Sequence, residues 1–368
     1  MTAWHFTGPP GGMVDDLGFE CPWYSNDRRD LAAMDECREM EQAKRDYARF
    51  WADYFPVLVR RRRRWERSDP RRNPHTLQRF VYKGIPAPLR KEIWMRNCAP
   101  RGPPEVTTVL PSTVEAIKLD LPRTFPNNRY LQVERNRNVL GRMLYCLAQH
   151  LPSVGYCQGL NFVAAVILLV VKDESKASDL LIQMVRRRQD YYGDTMSGLK
   201  KDTKLLEKIL ARECPQVAKV LKNLDVGLDL VIGKWLLCMF VETLPLERIC
   251  SIVGNGNVFQ GKPYKSYLSV YLDAPPSLIV CSVLRIWDCM IYDGNDVWLF
   301  RVTLSLIRAN QKKIGAARSL DQLILAFRSV GQCRLALYCH QLIEHAKSER
   351  VSQKMIDELR LTCEMEAT

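Results

Sequence analysis

Two short polar stretches, each set between strongly helical segments, hold the residue types best suited to chemistry. The first runs Leu121-Pro122-Arg123-Thr124-Phe125-Pro126, and the second Tyr156-Cys157-Gln158-Gly159-Leu160-Asn161. A residue before proline is pushed out of the helical region, so Pro122 stops a helix near Leu121 and leaves the Arg123 side chain uncommitted to a helix face. Phe125 offers an apolar anchor for that loop. Gln158 precedes a nearly all-apolar helix that starts at Gly159 or Leu160, and the side chains and N–H groups at such a start favour an anion. A cation for charge on a transferring phosphoryl group and an amide to orient water are what hydrolysis of a nucleoside triphosphate needs. Each residue alone also has a plainer reading: a loop arginine is usually solvated, and a loop glutamine usually caps a helix. Spacing alone therefore leaves catalysis open.

No set for binding and cleaving a nucleotide unaided is present. The chain has no G-x-x-x-x-G-K-[ST] loop, no H-E-x-x-H and no G-x-S-x-G. Its five histidines, at 5, 75, 150, 340 and 345, fall outside any ligand spacing. Thirteen cysteines include no C-x-x-C pair, and Cys339-His340 has no second ligand pair, so no zinc site can be argued. Reduced thiols in the cytoplasm are the expectation. The longest clean apolar run, Leu160 to Val171, is too short to span a bilayer, and Leu228 to Leu244 is broken by Lys234 and Glu242.

The elements that must position the two loops are helices. A chain of 368 residues, 47% hydrophobic, can bury a substantial core. Apolar spacing places helices over Gln132–Gln149, from Leu160 onward, and over Ala177–Gln189, Lys204–Leu210, Pro215–Leu221, Val226–Thr243, Trp298–Lys312, Leu320–Phe327, Leu335–Lys347 and Ser352–Glu366. Lys83-Gly84-Ile85-Pro86 is a turn, after which a helix restarts toward Trp94. Ser112 and Glu115 form a capping box for the helix before Arg123. The fold class is all-α. Residues 248–282 depart from it: they hold Gly254, Gly256, Gly261, Pro263, Pro275 and Pro276 and read as an irregular insert.

The N-terminal part divides into a poorly ordered tail over 1–28 and a basic helical extension over 29–76. The extension contains five consecutive arginines, Arg60 to Arg64, in a chain of formal charge +13. Such charge suits an acidic partner. The run reads as a solvated helix face whose other side carries Trp51 and Trp65, with anionic lipid or nucleic acid as its functional alternatives.

Four stretches resemble the motifs of the TBC domain, the catalytic module of Rab GTPase-activating proteins. Tyr82-Lys83-Gly84-Ile85-Pro86 with Arg90 and Trp94 is similar to K-G-I/V-P-x-x-x-R-x-x-x-W. Ile117, Asp120, Arg123, Thr124, Phe125 and Pro126 match I-x-x-D-x-x-R-T-F-P, and Tyr156 to Asn161 match Y-x-Q-G-M/L-N. Leu284-Arg285-Ile286-Trp287-Asp288, with Gly294 after it, is the fourth. The resemblance covers 77–347, with a C-terminal helix or tail over 348–368. It implies a multi-helix fold in two helical subdomains. It makes Arg123 an arginine finger and Gln158 a glutamine finger, supported by Asp120, Tyr156 and Gly159.

The implied partner is a Rab-type small GTPase in its GTP state. GTP and Mg2+ belong to that partner, and the chain has no cofactor of its own. A vesicle-trafficking role, a peripheral contact with an anionic membrane or endomembrane, and no nucleic-acid partner complete the expectation. Two departures from the family pattern stand out. The stretch between Trp94 and Ile117 is short, and the one between Glu247 and Val283 is long, where the family runs almost directly from L-P-x-E into L-R-I-W-D. They motivate an alternative: a non-catalytic scaffold of this fold that binds a GTPase.

Overall fold

The computed structural model describes residues 54, 56–244 and 282–365, and among them no strand forms. The helix 56–68 (α1) leads into α2 (Pro74–Lys83) and α3 (Ala87–Met95). α4 (Pro111–Asp120), the one-turn α5 (Arg129–Gln132), α6 (Glu134–His150), α7 (Leu160–Val171) and α8 (Glu174–Arg186) follow. Next come α9 (Ser197–Glu213), α10 (Pro215–Asn223) and α11 (Leu228–Leu237). Beyond the insert lie α12 (Ser282–Asp293), α13 (Val297–Ala309), α14 (Gln311–Gly315) and α15 (Leu320–Arg328). α16 (Arg334–Leu337), α17 (Cys339–Ser348) and α18 (Gln353–Met365) end the chain.

Two helices are buried nearly all round: α7, which is apolar on almost every face as such burial demands, and α12, which carries polar groups inward as well. In α7 every residue except Phe162 and Val170 is buried, with α6 and α8 packed against it and α3 touching it. In α12 Ser282 through Ile291 are all buried, enclosed by α2, α3, α13 and α17. Fully burying one leucine or isoleucine is worth about 1.5–3 kcal/mol, so these two rods contribute strongly to the cohesion of the fold. Asp173 caps α8 by accepting from the Lys176 N–H, and Lys172 turns the chain between α7 and α8 in a left-handed conformation.

The first and fourth sequence motifs meet in the core. Arg90 donates to Asp288 at 2.9 Å, and Trp94 Nε1 donates to the same carboxylate at 2.9 Å. Arg285 donates to the Val81 and Tyr82 carbonyls at 3.0 and 2.7 Å, closing the end of α2. Asp288 is fully buried, and both arginines are 2% exposed. These ions satisfy one another and the helix terminus, which is what permits charge at this depth.

Several expectations change. α4 starts at Pro111, with Leu110 as its N-cap and no side-chain cap, so Ser112 and Glu115 make no capping box. Proline suits the first helical position, where its missing N–H costs nothing. The Val226–Thr243 helix is α11 only, ending at Leu237 because Met239 and Phe240 take positive φ. Trp287 Nε1 donates to the Met239 carbonyl at 3.0 Å, so tertiary contact holds the break. Leu335–Lys347 divides into α16 and α17 at Tyr338. The expected insert over 248–282 lies outside the described residues except Ser282, which is not irregular: it opens α12, and its hydroxyl donates to the Ala336 carbonyl at 2.5 Å. The 1–28 tail and most of the basic extension also lie outside the described residues.

Candidate functional site

α4 ends at Asp120 and tightens into one 3-10 turn, Leu121–Arg123, with Pro122 inside it. That turn lifts Arg123 clear of the helix, and its side chain is 69% exposed. Phe125 anchors the loop as its apolar character suggests, its ring meeting Phe162 of α7 edge-on at 5.1 Å. Gln158 is exposed on the turn that enters α7. Gly159 follows with φ +107, and a Cβ there would lie 2.5 Å from Cys238 Sγ at the end of α11. Only glycine fits this backbone and this close approach.

The structure joins the two loops through their motif residues. Tyr156 donates its hydroxyl to Asp120 Oδ2 at 2.7 Å. Asp120 Oδ1 also faces Arg123 Nη1 at 3.8 Å, beyond hydrogen-bond range but close enough to bias the guanidinium. Thr124 Oγ1 donates to the Asp120 carbonyl at 2.8 Å and accepts from Asn161 Nδ2 at 2.8 Å. Asn161 Oδ1 accepts the Gly159 N–H at 3.0 Å. Thr124 and Asn161 are buried and Asp120 is 8% exposed, so water competes little for these bonds. The result is a continuous link from the Arg123 turn to the Gln158 turn.

Burial, and then the hydrogen bond to Asp120, push the Tyr156 hydroxyl well above its ordinary pKa and keep it a donor. Burial also raises the neighbouring thiols of Cys157 and Cys238; for Cys238 the carboxylate of Glu242, 3.1 Å from the sulfur, adds to the effect. They stay protonated and are poor nucleophiles.

One expectation about this site narrows. Three amides at the start of α7 are already engaged: Gly159 N–H is taken by Asn161, Leu160 N–H by the Cys157 carbonyl at 3.1 Å, and Phe162 N–H by the Gly159 carbonyl at 3.1 Å. A tight turn takes up most of the helix start internally, so phosphate chemistry falls mainly to side chains. Thr124 and Asn161 were given no role from sequence, although both stand inside the quoted motifs; that position was the only signal available.

Comparison with known proteins identifies the family of this all-helical domain. The family model described as the Rab-GTPase-TBC domain matches residues 105–254, a span that contains both loops. The chain belongs to this family, whose function in general terms is activation of Rab GTPases and whose partner is a Rab GTPase.

Within it, the chain is similar to growth hormone-regulated TBC protein 6 of Caenorhabditis elegans, 44% identical over 354 residues, covering 96% of this chain and 93% of that one. It is also similar to growth hormone-regulated TBC protein 1 of Xenopus tropicalis, 29% identical over 335 residues, covering 85% and 88% of the two chains. Asp190-Tyr191-Tyr192 ahead of Gly198-Leu199-Lys200, and Gly18-Phe19-Glu20 near the start, are sequence details in keeping with that subgroup. In fold it is similar to the Chlamydomonas flagellar RabGAP TBC domain, with a TM-score of 0.56 at 19% identity over 84% of this chain and 95% of that one.

Proposed function

We propose that this protein accelerates GTP hydrolysis by a Rab-type GTPase in its GTP state, inserting Arg123 and Gln158 into the partner's active site. The observation that carries the reading is the pairing of exposure with tethering. Both side chains point into solvent, while Tyr156–Asp120 and Asn161–Thr124 bonds fix the turns beneath them. A preorganised donor loses little freedom on docking, so more of its interaction energy reaches the transition state. Arg123 neutralises charge on the transferring phosphoryl group, and the Gln158 amide orients the attacking water. Asp120, Tyr156 and Gly159 hold the two turns. GTP and Mg2+ arrive with the partner as substrate. Leu119, 55% exposed one turn before Arg123, offers the partner an apolar contact beside the finger.

The setting we propose is the cytoplasmic face of endomembranes in vesicle trafficking, with the basic helix α1 toward an anionic surface. No described helix is long and apolar enough to cross a membrane.

The test is single-turnover GTP hydrolysis across a panel of Rab GTPases, with Arg123→Ala and Gln158→Ala beside the parent. Acceleration of at least one Rab, lost in both variants, is expected. Binding of a GTP-loaded Rab without any rate gain would mark the protein as a scaffold of this fold instead.

A further inference from the structure

The groove between α1 and α2 takes no part in the chemistry of Arg123 and Gln158. It encloses about 620 Å3 and is lined by Arg60, Arg61 and Arg64 of α1 and by Arg79 and Lys83 of α2. Among the described residues no carboxylate lines it. The side chains of Arg60, Arg64, Arg79 and Lys83 have no hydrogen-bond or ion-pair partner among the described residues. Among the described residues Arg61 donates to neutral oxygens, the Tyr54 hydroxyl and the Lys83 carbonyl, each at 2.5 Å. Arginines close to the groove do find carboxylates. Arg62, on the same helix, meets Glu66 at 3.0 Å, and Arg71 meets Glu92 at 2.9 Å.

The groove is a fixed feature. Trp65 Nε1 donates to the Gly84 carbonyl at 3.0 Å, and its ring stands edge-on to Phe80 at 5.4 Å. This contact clamps α1 to the turn after α2 and gathers cations from two helices around one aromatic floor. Like charges brought together repel, and no described residue of the groove offsets that repulsion; a bound polyanion does.

We propose that this groove binds a compact ligand bearing two or more clustered phosphate groups, the chemistry shared by a phosphoinositide headgroup and a free inositol polyphosphate. Its volume falls within the range of small-ligand sites, roughly 300–1,000 Å3. Arginine forks match phosphate oxygens in pairs, which favours clustered phosphate over a single diffuse charge. The placement of the cations around one concavity, rather than along an extended strip, favours a small polyanion over a nucleic-acid strand.

The test uses the full chain, the variant R60Q/R64Q/R79Q, and a control, R63Q/R67Q, which removes exposed charge from α1 at positions that do not line the groove. Vesicle flotation compares phosphatidylcholine doped with a phosphatidylinositol bisphosphate against phosphatidylserine at equal total charge. Calorimetry with inositol trisphosphate forms the soluble arm. Tight binding in either arm is expected, and the arm that binds identifies the source. The groove variant weakens it on the order of a hundredfold, from about three lost cation contacts, and the control far less. Equal weakening by both variants, equal binding to phosphatidylserine vesicles, or no binding in either arm overturns the site. So does salt-sensitive binding of single-stranded RNA that outcompetes both phosphate probes. Stimulation of GTP hydrolysis by the Rab in solution stays unchanged in the groove variant, so this test and the hydrolysis test fail independently.

Discussion

Arg123 combines two properties seldom found together: a guanidinium 69% exposed and a backbone turn tied to the rest of the site. Exposure keeps it available to a partner, and tethering holds it where the partner's phosphates arrive. An arginine supplied in trans is worth about 10³–10⁵ in rate. Arg123→Ala therefore lowers the stimulated rate of GTP hydrolysis by the Rab by that order while leaving the thermal melt of the protein unchanged. Arg123→Lys recovers little of the loss, because lysine lacks the planar fork. Gln158→Ala lowers the same rate by on the order of 10²-fold, the usual cost of deleting one positioned polar group. Gly159→Ala acts through geometry. Its φ of +107 and the 2.5 Å approach to Cys238 force the turn to move. Strain of this kind costs about 1–3 kcal/mol. Stimulated hydrolysis falls although Arg123 and Gln158 are both intact, and unchanged kinetics in Gly159→Ala would show that this turn does not hold the glutamine in place.

Between loops, the element that matters is the start of α7 against the end of α4. Thr124 Oγ1 is the shared atom, donating to the Asp120 carbonyl and accepting from Asn161. Thr124→Val removes both bonds and leaves a buried Asn161 amide unpaired, at a cost of about 1–3 kcal/mol in urea-unfolding stability. If this link sets the geometry of the two loops, the variant also loses stimulated rate at saturating Rab. A drop in stability with full kcat would confine Thr124 to a structural role. This junction was only half legible in the sequence. Pro122 at the end of a helix marks the Arg123 turn, and the apolar run from Leu160 marks α7, because both signals are local. The Asn161–Thr124 bond joins residues 37 positions apart, and local pattern holds no record of it. The break after Leu237 was hidden for the same reason: its partner, Trp287, lies on a helix beyond the insert. Ser112 misled because a capping box and a proline at the first helical position compete for one terminus, and Pro111 won.

Across the whole molecule, the conspicuous motif residues divide into two sets with different work. Arg123, Gln158 and their supports form the exposed set. Arg90, Trp94, Arg285 and Asp288 form a buried set that binds α2 and α3 to α12 and so joins the N-terminal helices to the segment after the insert. Asp288 is the shared anion, with a guanidinium at 2.9 Å and another at 3.4 Å. Asp288→Asn leaves two buried guanidinium groups without a counter-charge, and losing one partner of a buried pair costs about 3–5 kcal/mol. The urea midpoint falls accordingly, most of the loss arising in the folded state. Because Asp288 supports the frame and no reacting group, stimulation of GTP hydrolysis by the Rab, per folded molecule, stays close to that of the parent wherever the variant is folded. The measurement is stimulated hydrolysis with the folded fraction determined in the same sample by near-ultraviolet circular dichroism. A fall in kcat beyond the fall in folded fraction would mean that strain at α12 reaches the loops through α3 and α7, and that the buried motifs tune the fingers as well as carry them.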